Sequence, residues 1–104
     1  MRITSITPEA IFFGEKKISF DHDQDCCETN YADFEQIDQE ALNTDFPEDL
    51  VFEAVEGAGF RFGFPGRMFF IPCYSVQNGY YTTQLDIYYC GKRVLSFLCE
   101  EDFE

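Results

Sequence analysis

Tryptophan is absent from this chain, histidine occurs once, and bases are scarce. Lys+Arg 7 stand against Asp+Glu 20 in 104 residues, a formal net charge of -13. That shortage of cations excludes a surface built to grip phosphates, because such contacts need Lys and Arg. Neither direct nucleic-acid binding nor an anionic membrane is therefore expected. No apolar run approaches the roughly 20 residues of a transmembrane helix. The opening Met1-Arg2-Ile3-Thr4-Ser5-Ile6-Thr7-Pro8-Glu9 has no apolar h-region, so no secretory signal is predicted and the expected address is the cytoplasm. Repeats and linkers are lacking too, and the length fits a single domain over residues 1–104.

What is present is bulk. The hydrophobic fraction is 45%, with Phe 13 and Tyr 6, which argues against disorder despite the charge. A chain of this size buries roughly 65% of its unfolded surface, enough for one core. The cysteines are Cys26, Cys27, Cys73, Cys90 and Cys99. An odd count without a signal peptide points to thiols rather than a disulfide framework. Cys73, Cys90 and Cys99 sit in apolar strand-like runs, where a free Cys usually packs as a small hydrophobe.

The charge is concentrated. Between residues 21 and 56 lie Asp21, Asp23, Asp25, Glu28, Asp33, Glu35, Asp38, Glu40, Asp45, Glu48, Asp49, Glu53 and Glu56, with no Lys or Arg. The rest of the chain balances. This stretch reads either as a solvated face that keeps the protein soluble or as a surface for a basic partner. Duplex DNA carries one charge per ~1.7 Å of axis, so this many carboxylates match roughly 22 Å of duplex. Mimicry of DNA towards a nucleic-acid enzyme is thus a further reading.

Periodicity predicts an α+β domain, mainly antiparallel sheet in an arrangement compatible with a barrel. Ala10–Phe13 and Lys17–Phe20 flank Gly14-Glu15-Lys16 as a hairpin. Phe34, Ile37, Ala41 and Leu42 recur at helical spacing and predict one amphipathic helix over 33–43. Asn30 or Asp33 would cap it, Asp33 and Gln36 forming a capping box. Val51–Val55, Phe60–Phe64 and Met68–Ile71 read as strands, the last closed by Pro72. Tyr80–Cys90 alternates as a half-buried strand and turns at Gly91-Lys92 into Val94–Cys99. Residues 100–104 read as a frayed tail.

The densest set of chemical side chains is Asp21-His22-Asp23-Gln24-Asp25-Cys26-Cys27-Glu28. As a calcium loop it starts correctly with D-x-D-x-D, then fails at position six (Cys26) and position twelve (Ala32). As a metal site, His22, Cys26 and Glu28 would suit zinc, with further ligands only from distant Cys73, Cys90 or Cys99. As a thiol site, Cys26 or Cys27 beside His22 could be activated, but the surrounding carboxylates raise a thiol pKa. As structure, His22 and Gln24 would satisfy backbone groups where a strand ends. No cofactor is called for.

His22 to Glu28, followed by the acidic segment and later by Asn78-Gly79-Tyr80-Tyr81-Thr82, resembles a family of small uncharacterised proteins from bacteria and their phages. Its members carry H-x-Q-D-C-C-E near the start and S-N-G-Y-Y-S near the end. Gln77 and Thr82 replace the two serines here. The resemblance implies that His22, Gln24, Asp25, Cys26, Cys27 and Glu28, with Asn78, Gly79, Tyr80 and Tyr81, are the functional places, and that the two boxes meet. It implies no catalytic residue. G-x-S-x-G, P-loop and H-E-x-x-H patterns are missing, so the sequence favours a non-enzymatic interaction or accessory module with a protein partner, a basic one fitting best.

Overall fold

Alternating side chains dictate most of the architecture. A computed structural model describes residues 1–21, 29–77 and 84–103. The strands are β1 (Ser5–Ile6), β2 (Ala10–Phe13), β3 (Lys16–Asp21), β4 (Thr29–Ala32), β5 (Val51–Val55), β6 (Gly59–Phe64), β7 (Arg67–Gln77), β8 (Gln84–Tyr89), β9 (Lys92–Leu98) and β10 (Glu100–Phe103). One sheet runs β1-β2-β3-β8-β9. The other runs β10-β7-β6-β5, with β4 also on β7. All pairings are antiparallel except β10 on β7. The two sheets face each other across one core and do not close into a barrel.

The hairpins follow their turn residues. Gly14 and Glu15 join β2 to β3, with Phe13 opposite Lys16 and Gly14 at φ 68. The β8–β9 pairing occurs as the alternation predicts, but the turn residues are Cys90 and Gly91, and Lys92 already lies in the strand. Both turn residues have positive φ, 54 and 80, the pattern of a type I′ turn whose twist suits two strands. Pro72 does not close a strand. It lies inside β7 just past the end of β4, where its carbonyl accepts from the Asp33 N–H at 2.9 Å, so its missing N–H is tolerated.

Two further expectations fail here. Residues 33–43 form no amphipathic helix but two short 3-10 turns, Phe34–Gln36 and Gln39–Asn43. Between them Ile37 (ψ 145) and Asp38 (ψ 131) are extended. Asp38, not Asp33 or Asn30, caps the second turn, accepting from the Glu40 N–H at 2.9 Å. That local bond competes with helix. The segment also holds no base to pair with its acids at i, i+4. The apolar residues still reach the core: Phe34, Ile37 and Ala41 are buried, while Leu42 is exposed and Phe46 fills in beyond it. The second failure is the tail, where Glu100–Phe103 pairs with β7 instead of fraying.

The core is aromatic. Ile11, Phe13, Ile18, Leu85, Ile87 and Phe97 enter from the first sheet, and Phe60, Phe62, Phe69, Ile71 and Cys73 from the second. Phe46 is wedged among Phe13, Phe62, Phe69 and Phe64 at centroid distances of 5.5, 5.6, 5.7 and 6.1 Å. The chain start is tied to the same place, Phe46 N–H donating to the Met1 carbonyl at 2.7 Å.

Candidate functional site

The sequence singles out two boxes, and both lie outside the described residues: His22, Gln24, Asp25, Cys26, Cys27 and Glu28 in one, Asn78, Gly79, Tyr80 and Tyr81 in the other. Their strand ends are described. β3 ends at Asp21 and β4 begins at Thr29; β7 ends at Gln77 and β8 begins at Gln84. Asp21 pairs with Asp86 of β8, and Thr29 with Val76 of β7. The four ends from which the two segments continue therefore gather at one end of the molecule.

A buried polar pair holds them there. Asn30 of β4 and Ser75 of β7 are register partners, and both are buried. The Ser75 hydroxyl donates to Asn30 Oδ1. Asn30 Nδ2 donates to the Gln84 carbonyl at 2.9 Å, crossing from the second sheet to the first. In a core, such groups are costly unless bonded, so this clamp ties the start of β4 and the end of β7 to the start of β8. Sequence reasoning missed it. It took Asn30 for a helix cap, and a serine inside a strand carries no signal of burial. Nearby, Asp86 faces like-charged Asp21. Its Oδ2 lies 4.0 Å from Arg93, and its Oδ1 is buried with no partner among the described residues.

The other feature is the connection from β4 to β5. Phe34, Ile37, Ala41 and Phe46 point into the core, which leaves the acids between them turned outward. Glu35, Asp38, Glu40, Asp45, Glu48 and Asp49 are exposed, and Asp33 is half-buried. Cations reach only some. Glu40 pairs with Arg67, and Asp45 lies 2.9 Å from the Met1 ammonium. That ammonium, by hydrogen bond and charge, holds the Asp45 carboxyl below its usual range, with Arg2 adding a smaller effect in the same direction. In β5, Glu53 pairs with Arg61. Glu35, Asp38, Glu48 and Asp49 have no ion pair among the described residues. Glu48 also presents its carbonyl to the Tyr89 hydroxyl at 2.9 Å. Burial first, then negative charge from Cys90, Glu48 and Asp49, pushes that phenol up to about 12.

The thiols divide differently from the sequence expectation. Cys73 and Cys99 are buried as read, but Cys90 is exposed on its turn. Among the described residues no three metal-ligating side chains come together, and no helix is long and apolar enough to cross a membrane. Comparison with protein-family models, curated proteins and solved structures found no match.

Proposed function

We propose that this protein is a non-enzymatic interaction module that presents the acidic β4–β5 connection to a basic protein partner. One observation carries the reading. The connection is anchored by four buried apolar side chains, yet Glu35, Asp38, Glu48 and Asp49 stay exposed, with no ion pair among the described residues. Charges held on an anchored segment keep a defined arrangement, which favours electrostatic steering and register over mere solubility.

The test is affinity capture from a cell lysate at roughly 50 mM and roughly 200 mM salt. The wild type is compared with a variant carrying Glu35→Gln, Asp38→Asn, Glu48→Gln and Asp49→Asn. Basic proteins should be retained at low salt, weakened at the higher salt and lost from the variant. Competition by duplex DNA would narrow the partner to a nucleic-acid enzyme, the mimicry reading. Retention that is identical for both forms would remove the proposal.

A further inference from the structure

Two thiols meet inside the core, and the interaction surface makes no use of them. Cys73 lies in β7, and Cys99 joins β9 to β10; both are buried in the same apolar cluster. β10 runs parallel to β7 with Glu100 opposite Tyr74. One residue back in that register, Cys99 falls opposite Cys73. Neighbouring strands lie about 4.8 Å apart, inside the Cα–Cα span of about 4.4–6.8 Å that a disulfide bridges. The Cys99 thiol and burial together hold the Cys73 thiol well above its ordinary range, so Cys73 rests protonated. Cys73 donates weakly to the Ile71 carbonyl at 3.7 Å.

We propose that Cys73 and Cys99 form an oxidisable pair, closed to a disulfide by exchange with a low-molecular-weight disulfide, and that the bond fastens β10 to β7. Access comes from β10 itself. It is a four-residue strand at the end of its sheet, paired among the described strands only with β7, the kind of element that opens locally at low cost. With β10 lifted, the Cys99 sulfur gives up its proton and attacks one sulfur of the small disulfide. The S–S bond breaks and one small thiol leaves. The Cys73 sulfur then loses its proton and attacks Cys99 Sγ, expelling the second small thiol. The two protein thiols are oxidised by two electrons, and the small disulfide is reduced to two thiols that carry the two protons. Once closed, the bond blocks the opening that allowed it, so the pair records exposure to oxidant.

The experiment uses the full chain with Cys90→Ser, which removes the exposed turn thiol from the peptide that contains Cys73. The protein is incubated with oxidised glutathione, digested with trypsin without reductant and mapped by mass spectrometry. Peptides 68–92 and 94–104 should appear joined, with the loss of two hydrogens. Dithiothreitol should separate them, and adding Cys99→Ala should abolish the link. The oxidised form should melt higher by at least roughly 5 °C. Free Cys73 and Cys99 after oxidation, or glutathione left standing on Cys99, would overturn the proposal. A link that forms without raising the melting temperature would overturn the fastening of β10.

Discussion

Four rings surround Phe46, two sheets supply them, and the acidic connection depends on that one contact set. Phe46→Ala should cost about 3–5 kcal/mol, the removed ring leaving a cavity that packed neighbours only partly fill. Urea unfolding measures it, and a loss under about 1 kcal/mol would mean the core does not close on this residue. The Asn30–Ser75 clamp makes a different demand. Asn30→Ala removes the bonds to the Ser75 hydroxyl and the Gln84 carbonyl together, so it should cost about 1–3 kcal/mol. Replacing both Asn30 and Ser75 with Ala should cost less than the sum of the single changes. Tyr89 gives a pH signature. Its folded pKa of about 12 exceeds the ordinary 10.0, so its contribution is complete below pH 10 and is lost as pH rises through 12. Spectroscopic titration of the tyrosinate should show a late phenol that Tyr89→Phe abolishes.

The elements show what was legible in the sequence. Period-two alternation located β5, β6 and the β8–β9 pair, because a half-buried strand must alternate. The stripe at Phe34, Ile37, Ala41 and Leu42 correctly named three core residues, but Leu42 is exposed and the segment is not a helix. Burial fixes which side chains point inward, whereas Asp38 and the missing bases decided the backbone. β10 was illegible, since its partner strand lies far away in sequence and its own composition is acidic. The two boxes lie outside the described residues, and the structure describes the clamp and the strand ends from which their segments continue. Gly59 and Gly63 carry a requirement that no pattern reveals. A Cβ there would lie 2.1 Å from the Ile71 carbonyl and 2.2 Å from that of Arg67, backbone atoms that cannot swing aside. Gly59→Ala and Gly63→Ala should each destabilise by roughly 2 kcal/mol or more, through overpacking and strain. Cys90→Asn should stabilise by about 0.5 kcal/mol, because Asn-Gly suits a turn with both φ positive. Thermal melts of the three variants should separate by sign.

At the scale of the whole molecule, the distribution of charge counts for more than its total. The net charge of -13 acts as a general repulsion, but the acids of the β4–β5 connection that have no ion pair among the described residues are held in place by its buried face. Charge-neutral pairs elsewhere, Arg61 with Glu53 among them, add little at the surface. If the protein is a module that recognises through this connection, the position of a carboxylate must matter more than its number. The decisive measurement is titration of a captured partner, at fixed salt, against two variants of equal net charge. One carries Glu48→Gln with Asp49→Asn, on the connection. The other carries Glu9→Gln with Glu15→Gln, on the exposed turns of the first sheet. The connection variant should bind roughly tenfold more weakly and the turn variant within about twofold of wild type. Equal weakening by both would show that only the bulk charge acts, and would contradict a defined acidic interaction surface.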